Sequence, residues 1–163
     1  VPQAVSVYTT QILIGLGLIV LQSTILTKLG HPNLVLILIL HLAGAGRLLT
    51  GGLIAFGLGL VQDTLSGATT GLSSLVYLIV YFSGKIIQRG LQLGHPIHQV
   101  TAVFLAGVFH HLVMARFSGQ GFPYSADWLK IALTAALSPF VFRVFIWLES
   151  FQIKYTGPRK ASE

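Results

Sequence analysis

Between Gly52 and Gly71 the chain reads G-L-I-A-F-G-L-G-L-V-Q-D-T-L-S-G-A-T-T-G. An apolar run laden with glycine stops at one acidic residue, Asp63. A turn of small residues follows, and a second apolar run starts at Leu72. This is the pattern of two membrane helices meeting closely at a polar hinge. Small residues let helix backbones approach, and packing rather than hydrophobic burial holds helices together in lipid. An acid costs about 2.5–3.5 kcal/mol to place at the bilayer centre. Asp63 therefore needs a cap, a partner or a watery interface.

The rest of the chain fits that setting. Of its 163 residues 53% are hydrophobic and 9% charged, with a mean hydropathy of +0.80, whereas about a quarter of a soluble domain is charged. Such a chain can cover its surface for lipid but not for water, so the reading is an integral membrane protein. The net charge of +6 does not mark a nucleic-acid binder. Its ten Lys and Arg stand singly between apolar runs, with only Arg159 and Lys160 adjacent, as topology determinants and lipid-headgroup contacts do. With no cysteine, disulfides and thiolate metal sites are excluded. Val1-Pro2-Gln3 has neither the basic region nor the cleavage site of a signal peptide, so the first apolar run is expected to stay as a helix.

The runs predict an all-α, polytopic transmembrane bundle of six spans. These cover Val5 to Leu26, Leu34 to Ala45, Gly51 to Gln62, Leu72 to Ile87, Val100 to Met114 and Asp127 to Leu148. The second and third are short for roughly 30 Å of hydrocarbon; they are either thin spans, the favoured reading, or a re-entrant hairpin buried in protein. Residues 1–150 then form one membrane domain and 151–163 a short polar tail. With six spans, Arg47, Lys85, Arg89, Arg143, Lys154, Arg159 and Lys160 fall on one side, and Lys28, Arg116 and Lys130 on the other. The basic excess predicts that both termini are cytoplasmic. A hairpin moves Arg47 across without changing the sign.

Gly51, Ala55 and Gly59 recur every four residues and share one helix face, a stripe suited to close helix crossing within the bundle. Asp63 ends its helix, where the dipole disfavours an acid. It is better read as capping the turn from Thr64 to Gly67, as Asx residues do; direct contact with a partner or substrate is the alternative. The histidines give no metal motif, because His110 and His111 are adjacent and diverge around a helix, and no carboxylate motif accompanies His95 and His98. His41 and His110 are expected to hydrogen-bond across helices. Catalysis within the bilayer needs a nucleophile with a base, or paired carboxylates; Asp63 is alone. The chain reads as a non-enzyme without cofactor or metal.

The stretch Ala55-Phe-Gly-Leu-Gly-Leu-Val-Gln-Asp63, then Ser66-Gly67 and Gly71-Leu-Ser-Ser-Leu-Val-Tyr-Leu78, resembles the signature of the MreD family of rod shape-determining membrane proteins. That pattern runs roughly F-x-x-G-L-x-x-D, a short turn, then G-L and an aliphatic span with an aromatic. His31-Pro32-Asn33 before aliphatics is similar to the opening of that family's second span. The resemblance implies a non-enzymatic component of the bacterial cell-wall elongation machinery in the cytoplasmic (inner) membrane. It implies MreC, a single-span protein, as direct partner. Through MreC it implies the MreB filament, the RodA glycosyltransferase and its transpeptidase. The stripe and the hinge together make Gly51, Ala55, Gly59, Asp63, Gly67 and Gly71 the expected helix-packing or partner-interaction set. The resemblance also implies a bundle similar to the substrate-binding subunits of energy-coupling-factor transporters, hence the alternative of a vitamin- or metabolite-capture subunit. Such a subunit needs a polar, convergent outer pocket, for which the sequence offers only Arg116, Lys130, Asp127 and a few aromatics, which counts against it. It also tends to carry Ala-x-x-x-Ala in its first span, where this chain has Gly15 and Gly17. A lipid-facing scaffold with unrelated partners is the third class.

Overall fold

A computed structural model describes residues 2–24, 32–45, 48–66, 71–88, 95–117 and 125–156. They form six helices and no strand: α1 (Pro2–Thr24), α2 (Leu34–Ala45), α3 (Leu48–Ser66), α4 (Leu72–Ile87), α5 (Pro96–Phe117) and α6 (Ser125–Thr156). The fold is an all-α helical bundle of membrane type. Leu48–Ser66, Pro96–Phe117 and Trp128–Leu148 are long and apolar enough to cross a bilayer, while Tyr8–Thr24, Leu34–Gly44 and Leu72–Ile87 are shorter apolar helices.

The bundle is built around α2, which touches all five other helices. Its sequence explains this position: L-V-L-I-L-I-L-H-L-A is apolar on every face, and such a helix is stable only when surrounded. Val35, Ile37, Ile39, Leu42 and Ala43 are wholly buried. At 12 residues and 1.5 Å per residue α2 is only about 18 Å long. The outer helices carry the opposite pattern, with large apolar side chains turned outward: Leu49 77%, Leu53 72%, Leu105 61%, Leu129 69% and Phe140 69% exposed. An apolar surface spread over several helices is suited to hydrocarbon.

Directions follow from residue pairs. Gly51 faces Tyr81 and Gly59 faces Ser73 and Ser74, so α3 and α4 are antiparallel. Asn33 meets Tyr77, Leu40 meets Gln88, and Ala43 meets Gly84, so α2 and α4 run parallel. Asn33 bonds to Thr134 and His41 packs on Phe142 and Phe145, which makes α6 parallel to α2. The start of α2 thus lies level with Tyr77, over a turn inside the start of α4.

Several boundaries differ from the sequence expectation. The third helix covers 19 residues instead of 51–62. Leu48, Leu49 and Thr50 join it at the front, and it runs past Asp63 to Ser66 because that carboxylate is engaged elsewhere. The fifth starts at Pro96, whose fixed φ and missing N–H suit a first helical position. The sixth runs 32 residues, so the predicted polar tail is helical as far as Thr156. It passes through Pro139, which cannot donate to the carbonyl of Ala135. The Ser138 hydroxyl donates to that carbonyl instead, at 2.7 Å.

Candidate functional site

The hinge comes first. Along the face of α3 that meets α4, Gly51, Ala55 and Gly59 are all buried. A Cβ on Gly59 would fall on the Cα of Ser74 and lie 2.6 Å from its backbone nitrogen. At Gly51 it would strike the ring of Tyr81. The two backbones approach this closely because neither Gly59 nor the paired serines bring bulk. Gly17, by contrast, has open space where a side chain would go.

Asp63 is 1% exposed. The Gly71 N–H donates to its Oδ2 at 2.8 Å, and the Ser73 N–H reaches Oδ2 and Oδ1, both at 3.1 Å. The carboxylate therefore caps the next helix across the hinge. The expectation that it caps the turn from Thr64 to Gly67 is corrected in its target, and Gly67 lies outside the described residues. The dipole conflict disappears with this geometry. Asp63 sits at the C-terminal end of α3 but delivers its charge to the N-terminus of α4, where orphan amides and the dipole favour an anion. Gly71 precedes α4 with φ +95°, a left-handed conformation that glycine adopts without a Cβ penalty. Having no side chain, it leaves the capping position to Asp63.

Beside the hinge lies a feature only weakly legible in the residue pattern. A cleft of about 460 Å³ opens between the end of α1, the start of α2, the end of α3, and α5 and α6. Gln22, Asn33, Gln62, His110, His111, Lys130 and Thr134 contribute its polar wall, and Ile19, Leu36 and Ile131 its apolar one. The wall is held by bonds between helices. The Gln22 amide donates to Gln62 Oε1 at 2.9 Å, while its own Oε1 accepts from the Leu34 N–H at 3.2 Å. Asn33 Oδ1 accepts from the Leu36 N–H at 3.2 Å and from the Tyr77 hydroxyl at 3.0 Å. The Asn33 N–H donates to Thr134 Oγ1 at 3.1 Å. Asn33 is thus the N-cap of the central helix and a junction for α4 and α6.

The histidines divide. His41 is buried against Phe142 and Phe145 with ring centroids 5.6 and 5.3 Å away. His110 stacks on Tyr77 at 5.8 Å. Its Nε2 has no hydrogen-bond partner among the described residues, contrary to the expected bond across helices. His95 and His98 meet edge to face. Among the described residues no three His, Asp or Glu converge as metal ligands would.

Compared with protein-family models, with curated proteins and with solved structures, the chain matches none. Fold and site define a class by themselves: a membrane-type helix bundle with a carboxylate-capped hairpin beside a polar cleft.

Proposed function

We propose that this chain is a non-enzymatic, six-span membrane scaffold of the MreD kind, serving bacterial cell-wall elongation by holding an MreC-like single-span protein. Through that partner it would be coupled to an MreB filament, a RodA-type glycosyltransferase and its transpeptidase. The observation that carries this reading is the hinge: of the residues on which the resemblance rests, Ala55 to Asp63 and Gly71 to Leu78 build one closely packed α3–α4 hairpin, stitched by Asp63. A scaffold must hold its partner-facing helices at fixed angles, and this device does so with one side chain. The full length of α3 supports two spans over 34–62. Affinity purification of the tagged chain from its native membrane, with mass spectrometry, tests the proposal. A single-span coiled-coil protein and wall synthases are expected to co-purify. Their absence from a folded, mild-detergent preparation would overturn it.

The cleft favours a second reading, the metabolite-capture subunit, because it is the convergent polar pocket such a protein requires. In that case a water-soluble metabolite binds saturably and no wall-synthesis partner is retained.

A further inference from the structure

The two tryptophans of the chain stand on one helix. Trp128 opens and Trp147 nearly closes Trp128–Leu148, the stretch of α6 long and apolar enough to cross a bilayer, and both are exposed. At 1.5 Å per residue they lie about 29 Å apart along the axis, close to the roughly 30 Å of a hydrocarbon core. Tryptophan collects at the two membrane–water boundaries, where its amphipathic ring meets the headgroups. One helix thus carries a mark for each boundary. Between the marks an outward face runs through Leu129, Ala132, Ala136, Phe140 and Val144, all exposed. Arg143 is exposed on that same face, between Phe140 and Val144 and one turn before Trp147. It stands about 6 Å inside the Trp147 boundary. The other charged residue of this stretch, Lys130, lines the cleft instead.

We infer that Arg143 and Trp147 form a site for the phosphate head of an anionic phospholipid. Because α6 runs parallel to α2 and α4, this lipid belongs to the leaflet at the Lys85 end of the bundle. An ionised side chain facing hydrocarbon is costly, and the stem of arginine is long enough to lift its head to the boundary. The anion that a membrane offers at that level is a lipid phosphate, whose oxygens the planar guanidinium grips in pairs. Trp147 flanks the head, and Phe140 and Val144 lie where the acyl chains descend. A free anion has no use for that apolar face. A carboxylate on a partner's helix would meet the same cost at this depth, whereas a phosphate already stands at the boundary. An anionic head is preferred because basic groups at this level are drawn to net negative lipid. The inference holds for a scaffold and for a capture subunit alike, so it does not rest on the elongation-complex proposal.

The test uses the full chain in phosphatidylcholine nanodiscs. Phosphatidylglycerol is the probe, diacylglycerol the control without a phosphate, and inorganic phosphate the free-anion competitor. Binding is read by native mass spectrometry and by thermal shift. Phosphatidylglycerol is expected to bind saturably and raise the unfolding temperature, while diacylglycerol does neither and inorganic phosphate leaves the lipid in place. Arg143→Gln should weaken phosphatidylglycerol binding by roughly tenfold, the effect of losing one charged hydrogen bond. Arg143→Lys should keep part of it, as a point charge without the fork. Arg116→Gln, in the last turn of α5, should change it little. Depth is read independently in Trp128→Phe, where Trp147 is the remaining tryptophan. Lipids brominated near the glycerol should quench it more strongly than lipids brominated near the chain ends. Should the Arg143 variants fail to fold, the contrast between the two lipids and the quenching order decide. No binding of phosphatidylglycerol, equal binding of diacylglycerol, displacement by inorganic phosphate, stronger quenching from the chain ends, or equal loss in Arg116→Gln overturns the inference. So does loss of a co-purifying membrane protein in Arg143→Gln with lipid binding intact, which would assign the arginine to a partner helix. Retention of an MreC-like partner is measured on the wild-type chain, so failure of one reading is distinguishable from failure of the other.

Discussion

Asp63 shows how one side chain can settle an element boundary. A helix that ends in an acid is electrostatically wrong by itself, and becomes right only when the next helix begins within its reach. Because Oδ2 alone accepts from both Gly71 and Ser73, Asp63→Asn can keep both bonds through its carbonyl oxygen. Its amide nitrogen then faces the Ser73 N–H, donor against donor. Asp63→Ala loses every bond and leaves two amides unpaired. Alanine should therefore cost about 1–3 kcal/mol or more and asparagine clearly less, as measured by thermal unfolding in detergent. Equal loss for both would show that the charge, not the acceptor geometry, holds the hinge. The sequence made the cap legible but not its target, since a turn-internal and a cross-hinge cap need the same residue type. Ser138 offers a parallel case in α6. Ser138→Ala leaves the Ala135 carbonyl without a donor beside Pro139 and should cost about 1 kcal/mol. A double variant with Pro139→Ala, which restores the backbone N–H, should recover most of that loss.

At the scale of elements, the α3–α4 hairpin depends on absence of bulk. A Cβ at Gly59 meets backbone atoms of Ser73 and Ser74, not the end of a flexible side chain. Neither Gly59→Ala nor Gly59→Leu can be absorbed by a rotamer change. Both should lower thermal stability and partner retention, leucine far more, while Gly17→Ala in open space should do neither. An unaffected Gly59→Leu would mean that the hairpin packs differently. The four-residue spacing was legible because helix geometry places Gly51, Ala55 and Gly59 on one face whatever lies opposite. The central position of α2 was less so. Its apolar run was plain, yet apolarity alone does not distinguish a helix buried in protein from one buried in lipid. The amides Gln22 and Gln62 in apolar helices and Asn33 before another were the available signal, since uncharged polar side chains among apolar helices mark contact between helices. Their convergence joins residues far apart in the chain, which no local pattern encodes.

For the whole molecule, the direction in which the bundle faces decides from which side the cleft is reached. With α2, α4 and α6 parallel and α3 running against them, the ends of α1 and α3 and the starts of α2, α4 and α6 lie at one end with the cleft. Lys130 stands at that end, whereas Lys85 in the last turn of α4 lies towards the other. The basic excess among short connections predicts that the Lys85 end is cytoplasmic. The cleft should then face outward. A phosphatase active only outside the cytoplasm, fused after Glu163, should be silent, and the same reporter inserted within 67–70 should be active. Both fusions are to be checked for expression and membrane insertion. An active fusion at Glu163 with a silent one at 67–70 would invert the bundle. The cleft would then open towards the cytoplasmic side.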